Sequence, residues 1–300
     1  MDLEFVGAGA GLIASFCWAL ASLFSTKVVM RLGTLRFSLF RVSFGALILA
    51  PIAISFGEVR TMGREMFLLI AASSIVGIVV GEVCLYAALR RLGPHLTLVL
   101  FSLNIPWTFV GEKVLSAQSI MPLEAAAVAC SCVGLMVCVA CRTHQSTEQP
   151  ANGFRAGLAF GTIASVCHAV GLHLLAGALT TATDPLVASA LRAGIAALVL
   201  GIVIGAVRGR EVLSFRPIVS EKGIGRPFLL SAFLSSAAGL LFATTSVALA
   251  SPAVAAASTS LSPLLVLPLL TLVRHEAISS GAYIGGGLSV GGLVALAALR

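Results

Sequence analysis

Arg41, Glu82 and Tyr86 are the residues whose types and places most invite chemistry. Each lies inside a strongly apolar run, where an ionisable side chain costs a few kcal/mol and needs a partner or a task. Glu82 stands about seven residues before its run ends, ~10 Å in at 1.5 Å per residue, and Arg41 stands at a similar distance from the start of its own run. The two depths match. A carboxylate whose acidity is set by a guanidinium, with Tyr86 one helical turn on, is suited to carry a coupling proton. The same pair also suits a buried ion pair that only fixes helix contacts. Trp18 and His168 sit in the middles of two further runs; the first offers a π-face to rings or cations, the second a group that titrates near neutral pH. Proline and small polar residues interrupt two more, at Asn104-Ile105-Pro106-Trp107 and at Ser258-Thr259-Ser260-Leu261-Ser262-Pro263. Proline frees a carbonyl one turn back, which a cavity or a side-chain partner must satisfy. Asn104, Trp107, Ser258 and Ser262 are therefore expected to line a substrate path.

The elements that hold these groups follow from composition. A chain of 300 residues that is 58% hydrophobic and 10% charged has too little polar surface to face water, so its solvent is lipid. A bilayer core of about 30 Å asks for ~20 apolar residues per helix. Ten such runs are expected, near 5–26, 37–56, 66–89, 94–111, 121–141, 156–179, 185–207, 227–250, 252–273 and 278–299. The first run reads as a retained helix, because Asp2 and Glu4 stand where a secretory signal carries positive charge. Barrel strands would be about ten residues long and would alternate with polar positions. The net charge of +7 is scattered over the connections and forms no surface for nucleic acid. Cys130, Cys132, Cys138 and Cys141 crowd one run; a metal site there is conceivable, and small polarizable packing residues are the simpler reading.

The runs divide five and five around Arg142–Arg155, giving repeats at 1–145 and 153–300. Ile13-Ala14-Ser15-Phe16-Cys17-Trp18-Ala19 aligns with Ile163-Ala164-Ser165-Val166-Cys167-His168-Ala169, Phe40-Arg41 with Leu191-Arg192, Leu92-Gly93-Pro94 with Ala250-Ser251-Pro252, and Gly134 with Gly292. A five-helix unit crosses the membrane an odd number of times, so the second copy enters from the opposite side. The charges agree with this. Thirteen Lys and Arg residues lie on the odd-numbered connections, against Arg60, Arg64, Lys113 and Arg300 on the even ones and the termini. By the positive-inside rule the odd connections are cytoplasmic. Inverted repeats of this kind are a signature of secondary transporters.

The repeat also relates the candidate residues. Trp18 and His168 are equivalent and are expected to approach one central cavity, although ordinary packing would also account for either. Glu82 is matched by Leu240, so Arg192 lacks the corresponding acid. Its guanidinium is placed to attract an anionic substrate group or to snorkel to the headgroups, with His173 a possible neighbour. Gly153, Gly157 and Gly161, and Gly281, Gly285 and Gly291, read as close helix-packing faces.

Ten helices in two halves, an arginine early in the second helix of each, and Ala248-Leu-Ala-Ser-Pro252…Ser262-Pro263…His275-Glu276 followed by Gly281–Gly292 resemble the EamA domain of the drug/metabolite transporter superfamily. The resemblance covers nearly the whole chain, with Gln118 standing where the second half has Glu276. It implies an exporter or exchanger of amino acids, nucleobases, related metabolites or toxic compounds, in a bacterial inner membrane. No Gly-x-x-x-x-Gly-Lys-Ser/Thr occurs, and no paired carboxylates or nucleophile–base arrangement, so neither a cofactor nor catalysis is expected. A membrane-embedded enzyme or lipid-processing scaffold is the rival reading. The expected partners are a small-molecule substrate and the lipid bilayer, with no nucleic acid and with a homodimer left open.

Overall fold

Apolar segments in a solvent that cannot hydrogen-bond must satisfy their backbone internally, and here they do so as helices. The computed structural model describes residues 3–57, 62–117, 119–141, 151–179, 183–209, 214–215, 218, 223–262, 264–265 and 279–299, and all regular structure among them is helical. In chain order the elements are α1 (Leu3–Leu32), α2 (Thr34–Phe56), α3 (Arg64–Ser73), a first π-helical segment (Ser74–Glu82), α4 (Val83–Ser102), α5 (Asn104–Leu115) and α6 (Pro122–Ala140). The second half comprises α7 (Ala151–Ala178), α8 (Pro185–Arg208), α9 (Gly225–Ala232), a second π-helical segment (Phe233–Ala238), α10 (Gly239–Leu249), α11 (Pro252–Thr259) and α12 (Ser280–Ala298). Among the described residues six helices are long and apolar enough to cross a bilayer: Leu3–Leu32, Thr34–Phe56, Arg64–Leu92, Gly153–Ala178, Pro185–Arg208 and Gly225–Leu249. Pro263, His275, Glu276, Gln118 and the loop charges Arg60, Arg142, Arg210, Arg216, Lys222, Arg274 and Arg300 lie outside the described residues.

Local signals set the helix ends. Gly33, at φ 82°, lets the chain reverse between α1 and α2. Asp184 caps α8 by accepting from Leu186 N at 2.8 Å, with Pro185 in the first turn, and Ser251 accepts from Val254 N at 3.4 Å ahead of Pro252. The fourth run is longer than expected. It does not stop near 111 but breaks at Leu103 and continues to Leu115, because Pro106 cannot donate to the Ser102 carbonyl and the helix restarts as α5.

Close approaches fix how the elements run. A Cβ at Gly77 would meet Gly171, and one at Gly81 would meet Ala164 and Cys167, so the segment before Leu92 is antiparallel to α7. Gly161 faces Leu100 and Gly111 faces His173, so from Leu100 to Gly111 the chain runs parallel to α7. Gly57 meets Val187 and Gly201 lies near Leu39, making α2 and α8 antiparallel. Gly134 meets Gly285 O and Ser289 N, Gly292 meets Ala127 O and Ser131 N, and Ser131 Oγ donates to Ser289 O at 2.9 Å, so α6 and α12 are antiparallel too. The equivalent helices α2 and α8, and α6 and α12, thus pair head to tail about a pseudo-twofold axis, as inverted repeats require. Gly292 takes the packing place expected of Gly291, which has nothing within 4 Å. Large apolar side chains such as Leu47, Ile54, Ile202 and Ile284 are exposed around the bundle, where only lipid can cover them.

Candidate functional site

Between the two halves lies a cavity of about 100 Å³, room for several waters. α1 contributes Trp18, Ala21, Ser22 and Ser25, α2 contributes Arg41, and the first π-helical segment contributes Gly77, Gly81 and Glu82. α4 contributes Leu85, Tyr86 and Leu89 from its first half and Thr97 and Phe101 from its second. His168, Ser235 and Ser262 complete the wall from the second half. The lining reaches from mid-helix Trp18 and His168 toward the end of the bundle that holds Gly33, Arg90 and Arg91, the face of the odd connections.

The structure brings Arg41, Glu82 and Tyr86 together. Arg41 Nη2 forms an ion pair with Glu82, and its guanidinium stands 5.3 Å from the centre of the Tyr86 ring. Nη1 reaches across the repeat boundary and donates to Ser235 Oγ at 3.1 Å and Ser236 Oγ at 2.6 Å. Exposure within the pair is unequal, 2% for the arginine side chain and 25% for the glutamate, with the ion-paired Oε2 itself buried, so the glutamate is the more accessible partner from the cavity. Phe37 packs edge-on against Tyr86 at 4.9 Å and holds that wall.

Trp18 and His168 meet edge to face with ring centres 6.1 Å apart, and Phe101 lies 4.8 Å from His168. Trp18 Nε1 donates to Ser235 O at 3.2 Å. That carbonyl belongs to a π-helical segment, and such segments depart from the regular i→i−4 ladder. A Cβ at Gly239 would lie 2.5 Å from Trp18 Nε1, so Gly239→Leu is expected to drive the indole into the cavity. The same Cβ would lie 2.7 Å from Leu234 O, so an overpacking loss of about 1–3 kcal/mol should accompany the displacement. Tryptophan emission and thermal melting of the variant would check both.

The remaining candidates are placed differently. Ser262 lines the cavity and bonds Ser15 Oγ at 3.1 Å. Ser258 is buried against Gly11 of α1 and donates to Ala255 O. Asn104 is buried and accepts from Ser260 Oγ at 3.0 Å, its amide nitrogen unpartnered. Trp107 is 48% exposed on the outside of the bundle and does not line the cavity. Arg192 does not snorkel. It is buried, Nη1 lies 3.4 Å from Thr244 Oγ1, and Nε has no partner. His173 is not its neighbour in hydrogen bonding; Nε2 pairs with Thr108 O at 2.9 Å.

Two features escaped sequence reasoning. Both π-helical segments fall at equivalent places in the two halves and both face the cavity, yet π geometry leaves no composition signal. At the opposite end of the bundle Lys113 pairs with Glu124 at 2.7 Å, both side chains 6% exposed. Beside them, Ala253 N donates to Glu112 at 3.0 Å and Ser251 N to Glu4 at 3.2 Å. Carboxylates from α1 and α5 thus hold the positive N-terminus of α11 at this face. Apolar neighbours and a short spacing to Glu112 were the available clues.

A model of the EamA-like transporter family matches residues 5–140 and 155–298. A solved crystal structure of a protein is similar in fold at TM-score 0.72, covering 99% of this chain and 98% of its own, with 16% identity. No curated protein matches the sequence.

Proposed function

Since the chain belongs to the EamA-like transporter family, over both of its repeats, we propose that it is a secondary transporter moving a small metabolite, such as an amino acid or related compound, by alternating access. The observation that carries this reading is the cavity at the repeat boundary, whose lining runs toward the face of the odd connections, while Glu4, Glu112 and the Lys113–Glu124 pair bind helix ends together at the other face. Trp18, His168 and Phe101 supply ring surfaces for the solute, and Ser262 and Ser235 supply hydroxyls. Glu82 is the carboxylate the cavity reaches, and Arg41 is held by Ser235 and Ser236 even without it. This suits Glu82 to take a proton on one side and release it on the other, exchanging it for solute during export. The odd connections are cytoplasmic, the protein resides in a bacterial inner membrane, and the structure represents its inward-facing state.

Counterflow tests the proposal. Purified protein in proteoliposomes loaded with candidate solutes is expected to exchange internal for labelled external solute, faster than protein-free vesicles, for at least one member of a panel of amino acids and related metabolites. No exchange of any solute across a broad panel overturns it.

A further inference from the structure

Repeat equivalence says which residues would line the cavity when the two halves exchange conformations. Ser131 and Ser289, in hydrogen-bond contact across the pseudo-twofold axis, set the register at 158 residues for the later helices of each repeat. In that register Gly77 answers to Ser235, Tyr86 to Thr244, Leu89 to Val247, and Asn104 to Ser262. The Trp18–His168 match places Leu172 and Leu175 opposite Ser22 and Ser25. The contacts obey this symmetry. Arg41 donates to Ser235, while a Cβ at the equivalent Gly77 would lie 3.7 Å from Arg192 Nη2.

The counterparts of the open cavity are closed in this structure. Leu172, Leu175 and Val247 pack together with Ala255 and Ala256 in a buried cluster. Arg192 Nε, Asn104 Nδ2 and His168 Nε2 are buried polar atoms with no partner among the described residues. Such atoms are costly unless another state satisfies them. Among the described residues Arg192 pairs with no carboxylate, and Leu240 stands where Arg41 has Glu82. Gly77, which lines the present cavity, puts no side chain between that cavity and the guanidinium.

Resting on the transporter reading, we infer that Arg192 is the anion-binding residue of the opposite-facing state. Its cavity forms as the Leu172–Leu175–Val247 cluster parts, and it takes solutes that bear a carboxylate or similar small anion. The two states then differ in charge. The inward cavity presents a neutral Arg41–Glu82 pair, and the outward one presents an uncompensated guanidinium with Asn104 Nδ2 as a second donor. A carboxylate solute is bound more tightly from the face of the even connections, which sets the ratio of affinities at the two faces and leaves the direction of net flux to the proton and solute gradients.

Thiol labelling tests this without knowledge of the substrate. In a background with the native cysteines replaced by alanine, Leu175→Cys and Thr244→Cys are exposed in sided vesicles to two membrane-impermeant methanethiosulfonates, one bearing a sulfonate and one a trimethylammonium group. Both cysteines are expected to react from the face of the even connections. The ratio of sulfonate to trimethylammonium rates at Thr244→Cys should drop about tenfold when Arg192→Gln is added and be kept by Arg192→Lys. Absence of labelling from that face, or a ratio indifferent to Arg192→Gln, overturns the inference. Labelling as expected in protein that fails every counterflow assay leaves this site standing and removes the transport reading instead.

Discussion

Glu82→Gln is expected to abolish the response to a pH gradient while sparing counterflow. The parent protein, exchanging one proton per solute, should build up to about a tenfold solute gradient per pH unit, and the variant none. The reason lies in how the pair is divided. Arg41 is buried and keeps two serine hydroxyls from the other repeat, whereas the Glu82 carboxylate is the partner that the cavity reaches. A proton arriving there cancels the attraction and leaves Arg41 anchored to the second π-helical segment, so protonation changes what ties the halves together. Glutamine keeps size and hydrogen bonding and removes that choice. Gradient-driven flux and counterflow, measured in the same proteoliposomes, separate the two functions; an unchanged gradient response would take the coupling role from Glu82. Removing the other partner acts on stability. Arg41→Ala removes the partner of Glu82 at the cavity wall and severs the contacts to Ser235 and Ser236, with an expected loss of about 1.5–3 kcal/mol for each hydrogen bond to the charged group.

At the face of the even connections, Lys113→Met alone is expected to destabilise the protein by about 3–5 kcal/mol, because it leaves Glu124 charged and buried. The double replacement Lys113→Met with Glu124→Met should regain most of that loss, since two apolar side chains of similar volume replace a pair whose desolvation already offsets much of its attraction. Thermal melting in detergent of the two single variants and the double variant gives the coupling directly. A double variant no more stable than either single one would show that the pair is held by contacts beyond its own charges. If the pair also latches this face, the double variant should label faster at Leu175→Cys from it.

Arg41 and Glu82 were legible as partners because depth in a membrane can be counted along a helix from each end, and a charge at that depth must be answered. Trp18 and His168 were legible because the repeat aligns them. The serines that receive Arg41 were not, since nothing in Phe233-Leu-Ser-Ser-Ala-Ala238 distinguishes a π-helical segment from ordinary apolar helix. Trp107 was expected on the substrate path and faces outward, because a helix apolar all round gives no periodic sign of which side meets protein. Arg192 was open between a ligand and a snorkelling role; only packing showed it buried behind Gly77.

By itself the sequence determined the solvent, the helices and the inverted duplication, for these follow from apolar run length, charge on short connections and an alignment at fixed offsets. It also determined that one arginine has an acid at its own depth and the other does not. The tertiary structure decided which faces meet, that α2 pairs with α8 and α6 with α12, toward which face the cavity lining runs, and which arginine belongs to it. Those outcomes depend on contacts between segments some 100 to 250 residues apart, as in Ser74 with Arg192 or Ser15 with Ser262. In lipid such contacts are chosen by the fit of small residues and by hydrogen bonds, since every apolar face is equally content against the bilayer.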